Sequence, residues 1–213
     1  MKRGQFITVE GGEGAGKSSV IAAVRGALEA AGIPYRMTRE PGGTPLAEAL
    51  RSLVLDPAHA GLSRESEVLM MFAARADHIA RVIRPTLGSG TWVISDRYTD
   101  ASFAYQGGGR GVPVEALDWL ERFAAFSLRP EHTFLLDLDV DEGRRRVALR
   151  GLERDRMERE EDDFFVRVRD AYLARAAADP QRFSVIDASR PLALVVAEVE
   201  KELESIARAW RDG

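Results

Sequence analysis

The chain has 213 residues, 45% of them hydrophobic and 30% charged, which suits one α/β domain with a sizeable core over 1–213. Its formal net charge of -4 gives no overall basic character, so nothing points to a nucleic-acid polymer as partner. There is no cysteine for a disulfide framework or a thiolate metal site, and no apolar stretch as long as a membrane span, so reducing cytoplasm is the expected location.

The first predicted strand, Phe6–Glu10, leads directly into Gly11-Gly12-Glu13-Gly14-Ala15-Gly16-Lys17-Ser18, and a helical pattern over Lys17–Ala31 follows. Gly, four residues, then Gly-Lys-Ser between a strand and a helix is a phosphate-binding P-loop in its proper context. The glycines let several N–H groups converge on one concavity, and the positive end of the helix adds to it. Lys17 is placed to reach the β- and γ-phosphates, and the Ser18 hydroxyl to ligate Mg²⁺. The chain's only lysines are Lys2, Lys17 and Lys201, against a large excess of arginine, so a lysine has been kept here.

The second strand, Tyr35–Arg39, runs into Thr38-Arg39-Glu40-Pro41-Gly42-Gly43-Thr44. Pro-Gly-Gly alone signals a turn; its place at a strand end raises its interest. Helical patterns follow over Pro45–Leu55 and Ser66–Leu87, with Ser63 as a start signal for the second. On it Phe72 and Arg75 lie three apart and share a face. A Phe at that spacing is usually core, but an arginine beside it is harder to bury, so a ring stacked on a base with a polar neighbour competes. The third strand, Thr91–Asp96, ends in Asp96-Arg97-Tyr98. Ligands bind at the carboxyl ends of parallel strands, which places Asp96 on the Mg²⁺ side and Arg97 against a transferring phosphoryl group. The alternative is a strand-end ion pair capping the next helix.

Ser102-Phe103-Ala104-Tyr105-Gln106 offers hydroxyl, phenol and amide groups before a flexible glycine run to Gly111. Helices over Val114–Ser127, Val140–Arg150, Asp162–Ala178 and Pro191–Arg211, with strands His132–Asp137 and Phe183–Asp187, complete the alternation. That alternation predicts a five-stranded parallel sheet with helices on both faces. Gly32 and Gly88 stand just past helix ends. His59, His78 and His132 make no metal-ligand spacing and read as surface or packing residues. The segment 150–163 is nearly all charge of both signs. It is either a solvated helix face or an arginine-bearing lid, and the P-loop elsewhere favours the lid.

Together these segments resemble the bacterial type of thymidylate kinase, a P-loop nucleoside monophosphate kinase, nearly end to end. The P-loop, Thr38-Arg39-Glu40-Pro41-Gly42-Gly43-Thr44, Asp96-Arg97-Tyr98, Ala104-Tyr105-Gln106-Gly107 and Asp155-Arg156-Met157-Glu158 carry the resemblance. It implies an α/β P-loop NTPase fold with a small arginine-rich lid at about 150–161. It implies phosphorylation of dTMP to dTDP by ATP with Mg²⁺, in a homodimer. The loop Gly11, Gly12, Glu13, Gly14, Ala15, Gly16, Lys17 and Ser18 would hold ATP, with lid arginine Arg156, or else Arg154, over it. Ser18 and Asp96 would serve Mg²⁺. Arg51 and Arg97 would hold the dTMP phosphate, with Glu13 and Glu40 near the sugar and acceptor phosphate. Phe72, or Met71 in the other register, would pack on thymine, while Arg75, Ser102 and Gln106 meet its polar edge. Tyr105 would crowd the ribose 2′ position. Rival readings are another nucleotide kinase on the same scaffold, or a P-loop regulatory module. The chain lacks the Asn-Lys-x-Asp signature of GTPase switches.

Overall fold

A computed structural model describes residues 2–149 and 155–212. Its central strand, β1 (Phe6–Gly11), is buried along its whole length, as a strand covered on both faces must be. β3 (Trp92–Asp96) pairs with it on one side and β4 (His132–Asp137) on the other. β2 (Tyr35–Arg39) and β5 (Phe183–Asp187) form the edges. Among the described residues the order is β2-β3-β1-β4-β5, and every pair is parallel. The five-stranded sheet expected from the alternation is therefore present. Val9 lies opposite Asp96 and Gly11 opposite Leu136, so the carboxyl ends of β1, β3 and β4 meet where the connections diverge. Such a crevice is where open α/β sheets bind ligands.

Strand pleating sends alternate residues to opposite faces. Ile7, Val9, Phe134 and Leu136 join one core with α1 (Lys17–Ala30) and α9 (Leu192–Asp212). Val20, Val24 and Leu28 of α1 and Val195, Val199 and Leu203 of α9 recur at four-residue spacing and face each other across it. Each such burial is worth about 1.5–3 kcal/mol. On the other face, Phe6 and Val93 pack under Ile79, Ile83 and Leu87. Leu135 there meets Phe165, Val168 and Tyr172 of α8 (Asp162–Ala178). Among the described residues no helix is long and apolar enough to cross a membrane.

Several expectations change. The helix expected over Ser66–Leu87 starts earlier, as α3 (Arg64–His78), with the Ser63 hydroxyl accepting from Ser66 N. It passes through a π-turn at Ile79–Ile83 into α4 (Arg84–Gly88). Pro85 explains the turn, because it lacks an N–H and its ring would crowd the carbonyl four residues back. Gly90, not Gly88, takes the left-handed conformation beyond that end, whereas Gly32 does so as expected. The glycine run after Gln106 is not a flexible loop: α5 (Thr99–Ser102) continues as a π-helical stretch over Phe103–Gly109. Its glycines let α8 approach closely; a Cβ on Gly109 would lie 2.4 Å from the Phe164 ring. α6 (Val114–Ala124) stops before Ser127 because Phe126 and Ser127 are left-handed. α7 covers Val140–Ala148; Arg150, expected at its end, lies outside the described residues.

Candidate active site

The P-loop follows β1 at the sheet's carboxyl edge. Gly14 has φ +74°, and a Cβ there would come within 2.3 Å of the Gly143 carbonyl oxygen on α7. Only glycine permits both the conformation and the approach. Lys17 Nζ curls back to donate to the carbonyls of Gly11 at 3.1 Å and Gly12 at 2.9 Å. Burial pulls the Lys17 ammonium down to about 8 and nearby Arg97 adds to this, against Glu13, Asp96 and Glu10.

A solvent-open cavity of about 990 Å³ runs from this loop past the end of β3. Gly14, Gly16, Lys17, Ser18, Glu40, Arg51, Met71, Asp96, Arg97, Tyr105 and Gln106 line it, so most of the expected site residues are brought together. A second recess of about 650 Å³, behind Gly12 and Glu13, is walled mainly by apolar side chains of β4, α7 and α8. It lacks Lys17, Asp96 and Arg97, and its two arginines, Arg144 and Arg169, are paired with Asp162 and Asp137.

Arg97 is the most heavily constrained group in the cavity. Its backbone is left-handed at φ +71°, an unfavourable conformation for a residue with a Cβ. Arg97 N donates to Val9 O at 3.1 Å, and Ser95 Oγ donates to Arg97 O at 2.7 Å. Its Nη2 donates to Glu13 Oε1 and to the Tyr105 hydroxyl, both at 2.9 Å, and its Nη1 donates to the Tyr172 hydroxyl at 2.9 Å. Behind it Glu10 is fully buried and accepts from Tyr98 N and from the Tyr172 hydroxyl, each at 2.7 Å. Burial, with Asp100 nearby, pushes the Glu10 carboxyl up to about 8.

A metal site can be tested against the donors. Asp96 Oδ1 is buried and has no protein partner among the described residues, and Ser18 lines the same cavity. No cluster of three His, Cys, Asp or Glu among the described residues would hold a metal by itself. One carboxylate and one hydroxyl suit Mg²⁺, which takes its remaining ligands from phosphates and water.

Behind the cavity wall Arg75, held by the wall residue Glu40, is 1% exposed. Its Nε donates to Glu40 Oε2 at 2.6 Å and its Nη2 to Tyr98 O at 3.1 Å. Among the described residues its Nη1, Ser102 Oγ and Gln106 Oε1 are buried without a hydrogen-bond partner, and of these residues Gln106 lines the cavity. Buried polar groups are normally satisfied, so the unpartnered Gln106 Oε1 on the wall suits a polar ligand edge. Gln106 Nε2 is tied to Glu67 Oε1 at 2.9 Å. Arg51 Nη1 donates to Pro41 O at 3.0 Å; burial, then nearby Arg39, lowers its pKa from the usual arginine value.

A thymidylate kinase family model matches residues 9–199. The chain belongs to the thymidylate kinase family. It is 53% identical to the thymidylate kinase of Chromohalobacter salexigens over 211 residues, covering 99% of this chain and 100% of that relative. It is 56% identical to the thymidylate kinase of Halorhodospira halophila over 199 residues, covering 93% of each. The crystal structure of the Ehrlichia chaffeensis thymidylate kinase is similar to it at TM-score 0.76 and 32% identity, covering 95% of this chain and 99% of that one.

Within this thymidylate kinase family member, two expected placements are corrected. Phe72 does not face the cavity. It is buried with Val68, Phe103 and Leu117, its ring 4.5 Å from the Arg75 guanidinium, and Met71 takes the wall. The wider apolar face of α3 belongs to the core, so the larger ring goes inward. Arg156 does not reach the P-loop either. Its side chain is 5% exposed, donating through Nε to Val54 O and through Nη2 to Glu67, whose side chain is also buried. A buried carboxylate holds a guanidinium strongly, because either charge alone there would be costly. Arg154 lies outside the described residues.

The sequence assigned no place in the site to Glu10, Glu67 or Tyr172, and His78, expected as a surface or packing residue, is buried beside Glu40. His78 is fully buried, with Nδ1 2.9 Å from Glu40 Oε1 and Nε2 2.6 Å from Thr38 Oγ1. The one available signal was Glu10, a carboxylate in an otherwise apolar central strand. Nothing in the sequence marks Glu67 or Tyr172, whose partners come from other elements.

Proposed function

We propose that this chain phosphorylates dTMP to dTDP with ATP and Mg²⁺, by direct in-line transfer, as a step of dTTP synthesis in the cytoplasm. The observation that carries the reading is the single cavity with Lys17 and Arg97 at one end and Gln106, whose Oε1 is unpartnered among the described residues, at the other, backed by Arg75, which Glu40 of the cavity wall holds. Phosphate groups and a pyrimidine edge fit these two ends.

The acceptor phosphate is already anionic near neutral pH, so no general base is needed. The difficulty is bringing two negatively charged groups together. Gly11 to Ser18 hold the donor phosphates, with Lys17 against the γ-phosphoryl group. Arg51 and Arg97 hold the acceptor, and Arg97 stays with the migrating group. Ser18 and Asp96 would hold Mg²⁺, which supplies charge neutralisation and alignment when bound. Glu13 and Glu40 lie near the acceptor phosphate and sugar. Tyr105 crowds the 2′ position, and Met71 packs on the base. With Arg156 committed to Glu67, the lid contact to ATP falls to Arg154. Closure of a lid over about 150–161 would exclude water and limit wasteful hydrolysis. Coupled ADP formation with dTMP, dUMP, dCMP, AMP and GMP tests the reading. Strong turnover with dTMP, weaker with dUMP and negligible with the rest is expected; turnover with a purine monophosphate would overturn the base assignment.

A pH dependence follows from the two buried groups near 8. As pH rises through about 8, Lys17 loses its positive charge and Glu10 gains a negative one. Both changes weaken ATP capture, so kcat/KM for ATP is expected to fall across that range. Bound phosphates hold the Lys17 proton, so kcat persists to higher pH. A kcat/KM flat to pH 9.5 would contradict this.

A homodimer belongs to the same reading. α6 presents Trp119, 54% exposed, and Phe123, 67% exposed, with rings stacked 4.9 Å apart, and neighbouring α3 presents Leu69. Exposed apolar area of this kind marks an interface. Phe123→Glu is expected to convert a dimer to a monomer in sedimentation analysis; an unchanged dimer would remove α6 from the interface.

A further inference from the structure

Arg97 needs more than proximity to the phosphates, because a guanidinium transfers its benefit only when its N–H groups point at the migrating group. A long arginine side chain has several rotatable bonds and costs appreciable entropy to fix. Here the fixing comes from two sides. On the cavity side, Glu13 and Tyr105 hold Nη2. On the interior side, the Tyr172 hydroxyl accepts from Nη1 at 2.9 Å and donates to Glu10 Oε2 at 2.7 Å.

We propose that Tyr172 is a positioning residue for phosphoryl transfer: its hydroxyl, anchored by Glu10, sets the plane of the Arg97 guanidinium. This rests on the reading of Arg97 as the arginine that meets the acceptor phosphate. Tyr172 lies on α8, seventy-five residues from Arg97 in sequence, and is 1% exposed. Its ring is locked by packing with Tyr105, Leu135, Phe165 and Val168. The Tyr105 and Tyr172 rings meet edge-on at 6.3 Å and 83°, so the two hydroxyls that hold the guanidinium are themselves held. Glu10 serves both ends of the device. Its Oε1 accepts from Tyr98 N, fixing the backbone just after Arg97, and its Oε2 takes the Tyr172 hydroxyl. One buried carboxyl group thus registers the left-handed turn at Arg97 and the head of its side chain together.

Tyr172→Phe is the decisive change, because it keeps the ring and its packing and removes one oxygen. Arg97 then retains Glu13 and Tyr105 but loses the contact that fixes its plane. Misplacing a reacting contact by about 1 Å can cost on the order of 10²-fold. The expected result is a kcat lower by roughly 10- to 100-fold, with KM for ATP and dTMP changed little and a melting temperature lowered by several degrees at most, because Glu10 Oε2 loses a partner while the packing is kept. A double-mutant cycle separates positioning from simple structural support. In an Arg97→Ala background, Tyr172→Phe is expected to lower kcat no further. A Tyr172→Phe kcat within twofold of wild type would overturn the proposal. So would a full additional loss in the Arg97→Ala background. Wild-type protein with no dTMP-dependent turnover would overturn the functional reading and this inference together, a different pattern from either.

Discussion

Arg97→Ala is expected to lower kcat by on the order of 10³-fold or more while leaving the fold intact. The guanidinium is the group at which P-loop, sheet and α8 converge: Val9 and Ser95 fix its backbone, Glu13 and Tyr105 its outer edge, and Tyr172 its inner edge. An arginine given to a phosphoryl-transfer transition state works by electrostatic stabilisation already in place, so its loss appears in kcat more than in KM. Stability changes little, because Glu13 and Tyr105 line a solvent-open cavity where water can replace the lost donors. Saturation kinetics with both nucleotides, alongside a melting curve, check this. A kcat within tenfold of wild type would remove Arg97 from the chemistry.

The second large effect is on stability. Glu40→Ala is expected to cost about 3–5 kcal/mol, the range for breaking a buried ion pair by removing one partner. The Glu40 side chain is 3% exposed, Arg75 1% and His78 0%, so both partners left behind are buried, and water reaches them only through the space Glu40 vacates beside the cavity. For a protein of this length that cost lowers the melting temperature by on the order of 10 °C. It also frees Arg75, whose Nε is pinned by Glu40 at 2.6 Å, so KM for dTMP rises among the molecules that remain folded. A melting temperature within 2 °C of wild type, checked by calorimetry, would show that the Glu40–Arg75–His78 cluster does not hold the cavity's far wall. (The 2 °C threshold corresponds to roughly 1 kcal/mol or less.)

Local chemistry was legible in the sequence. The P-loop could be read because its requirements are consecutive: glycines for the turn, a lysine for phosphates and a hydroxyl for metal. Asp96 and Arg97 could be read because strand ends in a parallel sheet point at the ligand. What escaped needed three-dimensional information. Phe72 and Met71 are adjacent, and only the direction of the core relative to α3 decides which one meets the cavity. Arg156 sits in a charge-rich stretch that reads as a lid, yet it is held by Glu67, eighty-nine residues away. The glycines after Gln106 read as flexibility because sequence shows missing side chains but not the helix that fills their space. Tyr172 is one aromatic among several on α8, and its role depends on Glu10 lying opposite.

The most direct test of phosphoryl transfer across this cavity is to follow γ-labelled phosphate from ATP in the presence of Mg²⁺ and dTMP. Label recovered in dTDP, dependent on dTMP and with none retained on the protein, is the predicted result. Label released only as inorganic phosphate, or trapped on the protein, would contradict direct transfer between the two nucleotides.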